Sequence, residues 1–221
     1  MSMFLPMPVV LPLATAVVLF LLRNRQAVQE RLSIASLSVN LVLVLFILRA
    51  TAGGEILIHR MGMWPFPYGI ILAADRLTGT MLILAAAIVG ACTIFAQGYL
   101  SRNERKEAFH PLIHFQLMGI QGAFLTGDLF NLFVFFEVML ISTYALLAFY
   151  YNLDQLEVAF KYTFLNIIAS AMFLVGVSLL YAQVGTVNMA DLSVKVSELG
   201  PQPLMVVTAL IFLFVFSMKA A

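Results

Sequence analysis

A single glutamate lies near the middle of a long apolar stretch. Residues 129–150 read LFNLFVFFEVMLISTYALLAFY, and Glu137 carries the one formal charge among them. The eight residues before it place Glu137 roughly 12 Å from the start of a helix, inside a hydrocarbon layer about 30 Å thick. A charge at that depth costs about 2.5–3.5 kcal/mol on insertion scales, so a partner, water or protonation must offset it. This position favours a role in ion or proton movement, and a structural carboxylate satisfied by a neighbouring helix is the alternative.

A lysine near the end of the last apolar stretch is the candidate partner. On a helical wheel, the residues that share the face of Glu137 offer one polar tip, that of Tyr144, which cannot satisfy a carboxylate alone. About fifteen apolar residues precede Lys219, which places it roughly 20 Å into its span. The spacing leaves two interpretations open, because Lys219 can pair with Glu137 or extend its ammonium to the cytoplasmic interface.

Four further polar residues are secondary candidates. Lys161 stands in the first turn of its span, where it is an interfacial anchor or a member of the same proton path. His110 and His114 are four residues apart and share a helical face, a spacing that can bind a metal or admit protons. No third ligand lies nearby in the sequence, so no metal site is predicted. Asp128 precedes the stretch of Glu137 and is predicted to cap its helix.

The composition places the chain in the helical membrane class. Of 221 residues, 62% are hydrophobic and 10% are charged, against about 25% charged in a soluble domain. The basic residues are scattered, which excludes a nucleic-acid footprint. The sequence has no glycine-rich nucleotide motif, no nucleophile constellation and one cysteine, Cys92. These observations predict a protein that is not an enzyme and has no cofactor.

Seven apolar stretches are candidate transmembrane helices, so we predict an all-α polytopic membrane protein. They lie at residues 3–22, 32–48, 77–97, 111–126, 129–150, 160–183 and from 204 into the chain's end. Longer connections occupy residues 49–72 and 184–203, and the second contains an amphipathic surface helix near 188–199. The small-residue pairs Ala86/Gly90 and Gly119/Ala123 predict close helix contacts.

The loop charges predict the orientation. Connections one–two and three–four contain three basic residues each, the turn between spans four and five contains none, and the six–seven connection contains one. Because basic residues concentrate on the cytoplasmic side, the N-terminus is expected outside. The first stretch has no basic residues before it, so it is interpreted as a retained span rather than a cleaved signal.

Several segments resemble one family of membrane proteins. Residues 127–147 read GDLFNLFVFFEVMLISTYALL, and the likeness extends to AADRLTGTML at 73–82, AFKYTFLN at 159–166 and the closing FLFVFSMKAA. The chain resembles the antiporter-like proton-translocating subunits shared by Mrp-type Na+/H+ antiporters, respiratory complex I and membrane-bound hydrogenases. Within this family, GDLFNLFVFFE is most similar to the D subunit of the Mrp-type multisubunit antiporters.

The resemblance implies a fold and roles for particular residues. The family has three initial helices followed by two inverted five-helix repeats, so residues 1–107 are expected to form the initial helices and 108–221 an incomplete first repeat. Glu137 and Lys219 match the family's ion pair, whose separation gates proton steps, and Lys161 matches a further lysine. Because the sequence ends within span seven, we expect either a truncated form or a remainder carried on another chain.

The resemblance implies a function and two alternatives. The leading hypothesis is a proton-translocating subunit of a multisubunit Na+/H+ antiporter in a bacterial or archaeal inner membrane. Its partners would be other membrane subunits, the lipid bilayer, protons and Na+. The alternatives are a proton-pumping subunit of a redox complex, driven by electron transfer, and a structural membrane subunit whose charges only hold helices together.

Overall fold

The computed structural model describes residues 2–64, 66–100, 108–149 and 152–220. Within these ranges the chain forms eight α-helices and a two-stranded sheet. The elements are α1 (Met7–Leu21), α2 (Gln26–Thr51), β1 (Leu57–Arg60), β2 (Ile71–Ala74), α3 (Arg76–Tyr99), α4 (Phe109–Leu125), α5 (Leu129–Leu147), α6 (Leu153–Val184), α7 (Met189–Leu199) and α8 (Pro203–Ala220). The three–four connection at residues 101–107, whose charges enter the orientation prediction, lies outside the described residues.

The helices confirm the predicted class of an all-α, multi-pass membrane protein. Six helical segments are long and apolar enough to cross a membrane: Ser2–Leu21, α2, α3, α5, α6 and α8. The expected fourth span, α4, has 17 residues and is about 25 Å long. It lies inside the bundle, where it packs against α1, α3 and α5.

Two helices begin earlier than the apolar stretches suggest. Helix α2 begins at Gln26 rather than near residue 32, and α6 begins at Leu153 rather than near 160. The start of α6 is set by Asn152, whose side chain accepts a hydrogen bond from the backbone N–H of Gln155 at 2.8 Å. A cap of this kind starts a helix in polar sequence, so the residues 152–157, expected as a loop, are largely helical.

The expected loop at residues 49–72 contains an antiparallel hairpin. Leu57 pairs with Ala74 and Arg60 with Ile71. Strand β2 is mostly buried and also meets the α4–α5 turn, where the N–H of Gly127 donates to the carbonyl of Ile71 at 2.8 Å. The same turn accepts a hydrogen bond at 2.9 Å from the N–H of Met189 at the start of α7. The hairpin, the turn and α7 therefore lie together at one end of the bundle.

Close approach of α4 and α5 depends on glycine. A Cβ built on Gly119 would lie 2.8 Å from the backbone nitrogen of Met139, and one on Gly122 would overlap the ring of Phe135. Gly119 thus makes the close contact predicted for it. Gly90 does not, because a Cβ there would meet nothing within 4 Å.

Helices α5, α6 and α8 form a second packing group. Phe173 of α6 is fully buried at its centre. Its ring contacts four others, with centroid distances of 5.5–6.2 Å: Phe133, Phe136, Phe212 and Phe216. This aromatic cluster fixes the three helices directly beside Glu137 and Lys219.

Candidate functional site

A three-residue polar cluster joins three helices in the apolar part of the molecule. Ser170 of α6 donates a hydrogen bond to Oε1 of Glu137 on α5 at 2.5 Å. Lys219 of α8 donates from Nζ to the hydroxyl oxygen of Ser170 at 3.2 Å. Ser170 is buried and the two charged residues are half-buried. We call Glu137, Ser170 and Lys219 the α5–α6–α8 cluster.

The carboxylate and the ammonium are joined through the hydroxyl. The ion pairs within 4 Å among the described residues are Lys161–Glu157 and Lys195–Asp191, and neither involves the cluster. The ammonium of Lys219 also lies 5.4 Å from the ring centroid of Phe136, a cation–π distance. Lys219 therefore makes one hydrogen bond and one cation–π contact, and the carboxylate lies beyond ion-pair distance.

Antiparallel packing of α6 and α8 brings Ser170 level with Lys219. Gly176 lies against Ile211 and Phe212, with a Cβ-to-side-chain spacing of 3.3 Å. Two turns further along α6, Gln183 donates to the hydroxyl of Thr208 at 3.2 Å. These contacts fix the register in which position 170 meets position 219.

The cluster is suited to holding and releasing a proton. A carboxylate can take up a proton, and a nearby ammonium balances its charge, which lowers the cost of keeping both in a poorly solvated place. Tyr144, on the face of Glu137, interacts electrostatically with it and contacts Tyr162 of α6 edge-on at 5.8 Å. These two phenolic groups lie on the C-terminal side of Glu137 along α5.

Asp128 occupies the capping position that the sequence predicts for it. Its carboxylate accepts a hydrogen bond from the backbone N–H of Asn131 at 2.8 Å. Burial raises the pKa of Asp128, and the backbone hydrogen bonds from Asn131 and Phe130 oppose that shift. Asp75 caps α3 in the same way, and there the hydrogen bonds from Thr78 lower the pKa of an exposed carboxyl.

Lys161 lies apart from the cluster. It is nine residues before Ser170 on α6, about 14 Å along the helix axis. Its side chain is 69% exposed and pairs with Glu157 one turn earlier. Lys161 is therefore not a member of the α5–α6–α8 cluster.

The two histidines also lie apart from the cluster, on α4. Both are buried, and Nε2 of His114 is 3.0 Å from the hydroxyl of Ser33 on α2. Further along the α2–α4 contact, the amides of Asn40 and Gln121 bond each other at 2.7 and 3.1 Å. Among the described residues, no three His, Cys, Asp or Glu side chains are grouped to hold a metal ion.

Ser170 is the residue that sequence reasoning missed. The helical wheel of α5 shows that Glu137 needs a partner from another helix, but several serines and threonines occur in the spans. A serine in the middle of an apolar stretch is therefore a weak signal. The packing of three helices is required to select Ser170.

Part of the chain matches a family model. Residues 126–221 match the family described as "NADH:quinone oxidoreductase/Mrp antiporter, TM". This range contains Asp128, Glu137, Ser170 and Lys219.

The sequence is similar to the D subunits of several antiporters. It is 41% identical over 214 residues to the D subunit of the Na(+)/H(+) antiporter of Alkalihalophilus pseudofirmus, covering 96% of this chain and 43% of that protein. Identity to the corresponding Na(+)/H(+) antiporter protein of Bacillus subtilis is 38%, covering 99% and 44%. The D subunit of a probable K(+)/H(+) antiporter of Rhizobium meliloti is 38% identical, with coverage of 89% and 37%. The chain thus spans less than half the length of these relatives, whose names describe transporters and not enzymes.

Two solved structures share the fold. A chain of the membrane-bound sulfane sulfur reductase, an archaeal respiratory membrane complex, matches with a TM-score of 0.91 and 26% identity, over 97% of this chain and 44% of that one. A chain of the Mrp complex from Dietzia sp. DQ12-45-1b matches with a TM-score of 0.89 and 28% identity, over 100% and 41%. The resemblance indicated by GDLFNLFVFFE is confirmed.

Proposed function

We propose that the chain contributes a proton path to a multisubunit cation/proton antiporter, because residues 126–221 match the NADH:quinone oxidoreductase/Mrp antiporter family and the chain is similar to antiporter D subunits. The observation that carries the proposal is the α5–α6–α8 cluster. It places a carboxylate and an ammonium on one serine hydroxyl, midway along α5 and α6 and in the last described turn of α8, three helices long and apolar enough to span a membrane. Ionisable groups at such a depth are typical of ion and proton pathways.

In this proposal Glu137 carries the proton and Lys219 balances its charge. When Glu137 is ionised, the ammonium and the hydroxyl of Ser170 stabilise it. Protonation of Glu137 removes the negative charge, so Lys219 is held less strongly and its charge becomes available to a neighbouring group. The secondary candidates Lys161, His110 and His114 remain outside this step, at the helix ends of the path.

The proposed setting is a bacterial or archaeal cell membrane with the N-terminus outside. Residues 1–107 would be the three initial helices, and residues 108–221 part of a five-helix repeat. The partners would be membrane subunits packed against exposed apolar residues of the spans, because an antiporter of this kind is a multisubunit assembly. Na+ is the proposed coupling ion, following the names of the relatives from A. pseudofirmus and B. subtilis.

One alternative is proton pumping in a redox-driven complex. The fold similarity to the archaeal respiratory complex, with a TM-score of 0.91, favours it as the second candidate. In that case electron transfer in partner subunits would supply the energy. A purely structural membrane subunit is the third candidate.

The experiment measures cation-dependent proton exchange by the complete complex in inverted vesicles. A pH gradient is imposed with no electron donor present, and Na+ or K+ is then added. The proposal predicts that Na+ dissipates the gradient, and that vesicles whose complex lacks this chain do not respond. Exchange that appears only with an electron donor would favour the redox-driven alternative and contradict antiport.

A further inference from the structure

Ser170 differs from every other serine and threonine of α5, α6 and α8 in its hydrogen bonding. The other six donate to a carbonyl of their own helix four residues earlier: Ser142, Thr143, Thr163, Ser178, Thr208 and Ser217. This local bond is the ordinary choice for a hydroxyl in a membrane helix. Two of the six, Ser142 and Thr143, lie within hydrogen-bond distance of Gln116 on α4 as well. Among the described residues, the hydroxyl of Ser170 makes no hydrogen bond to its own helix, and instead donates across to Glu137 and accepts from Lys219.

The hydrogen-bonding capacity of the Ser170 hydroxyl links its contact with Glu137 to its contact with Lys219. A serine hydroxyl has one proton to donate and two lone pairs to accept with. Its proton points at the carboxylate, so a lone pair is left for the ammonium of Lys219. An ionised Glu137 can only accept, so it fixes the hydroxyl proton in this direction, whereas a protonated Glu137 can also donate.

We propose that Ser170 is a positioning residue that couples the protonation of Glu137 to the position of Lys219. This inference rests on the proposed function and deepens it. When Glu137 takes up a proton, its neutral carboxyl becomes a donor and the hydroxyl of Ser170 accepts from it. The hydroxyl proton then turns to the carbonyl of Asn166, four residues earlier, which is the bond the other six residues make. The hydroxyl now accepts from the carboxyl as well as from Lys219, and the carboxylate charge that attracted the ammonium is gone. Lys219 is therefore held less strongly and moves, and the one covalent bond formed is the carboxyl O–H.

Among the residues that the structure describes, few other titratable groups near Glu137 could perform this coupling. Lys219 faces it from α8. On its own helix Tyr144 interacts with it, and Tyr162 of α6 contacts Tyr144. Helix α4 presents to α5 the uncharged Gln116, which bonds Ser142 and Thr143. Ser170 is the group that touches both charged residues.

The test compares substitutions at position 170 in the complete complex, with exchange measured in inverted vesicles. Ser170→Ala removes the hydroxyl and should lower the exchange rate about tenfold or more, the typical worth of a hydrogen bond to a charged group. Ser170→Thr keeps the hydroxyl and should restore most of that rate. Ser170→Val has the shape of threonine without the hydroxyl and should resemble Ser170→Ala. Ser178→Ala, which removes an exposed hydroxyl two turns away on α6, is the matched control and should leave the rate unchanged.

Each outcome decides the inference. Equal rates for Ser170→Thr and Ser170→Val would overturn it, because the hydroxyl would then have no role beyond volume. A wild-type rate in assembled Ser170→Ala would overturn it as well, and so would loss of assembly in Ser170→Ala alone, which would make the serine structural. Glu137→Gln in the same vesicles separates the coupling role from the proposed function. If Glu137→Gln exchanges at the wild-type rate, the proposed function is wrong. If Glu137→Gln loses exchange while the Ser170 variants keep the wild-type rate, the coupling role of Ser170 is wrong and the proposed function is unaffected.

Discussion

Two lysines of this chain differ in burial and in the groups that they contact. Lys219 is half-buried, bonds Ser170 and lies over Phe136, while Lys161 is exposed and pairs with Glu157 on its own helix. An exposed pair at this spacing is worth a few tenths of a kcal/mol, whereas removing one member of a poorly solvated set leaves the other charge uncompensated. The two lysines therefore form a natural comparison.

We predict that Lys219→Ala lowers cation-dependent exchange at least about tenfold, because Glu137 and Ser170 lose their positive neighbour. Lys161→Ala should change the rate less than about twofold. Both rates are measured in vesicles with equal amounts of assembled complex. Equal losses in the two variants would show that position in the cluster does not decide the role of a lysine here.

At the scale of elements, the α4–α5 contact holds the glutamate helix against the helices that precede it in the chain. Gly119→Ala forces a Cβ to within 2.8 Å of the Met139 backbone, so the helices must separate. We expect a loss of about 1–3 kcal/mol in the free energy of unfolding, as for other overpacked contacts. Gly90→Ala has open space and should be neutral or slightly stabilising, since alanine favours helix. Thermal unfolding of the purified complex measures both, and equal shifts would refute the close contact.

The helix ends show where sequence reasoning is weak. The apolar stretches locate the middles of the membrane helices, because depth in the bilayer demands apolar side chains over a fixed length. Their ends depend on caps and tertiary contacts, as with Asn152 at the start of α6. The hairpin also depends on tertiary contacts, because β2 is buried against the α4–α5 turn. From the sequence alone, β2 looks like the residues that lead into the third span.

The α5–α6–α8 cluster could be predicted in part, because the depth of a residue in an apolar stretch can be determined from the sequence. The depth of Glu137 follows from its place in one apolar stretch, and Lys219 is suggested by its depth and by family resemblance. Ser170 could not be selected, because its role arises where three helices meet and serines are common in membrane helices. The hydrogen-bonding exception that marks it exists only in three dimensions.

At the scale of the whole molecule, one end of the bundle carries the hairpin, the α4–α5 turn and α7. The sequence predicts that this end faces outside. We predict that a cysteine at Ser193 on α7, in a chain with Cys92 replaced by alanine, reacts with a membrane-impermeant thiol reagent added to intact cells. A cysteine at Asp154, at the opposite end, should react only in inverted vesicles. The reverse pattern would invert the proposed orientation.

The most direct test of the proton role of Glu137 compares two glutamates on adjacent helices. Glu137→Gln and Glu157→Gln each remove one carboxylate, the first in the α5–α6–α8 cluster and the second exposed on α6. Cation-dependent proton exchange is measured in inverted vesicles with no electron donor, at matched levels of assembled complex. We predict that Glu137→Gln abolishes exchange while Glu157→Gln stays within about twofold of wild type. Wild-type exchange in assembled Glu137→Gln would contradict the proton role and leave the glutamate a structural residue.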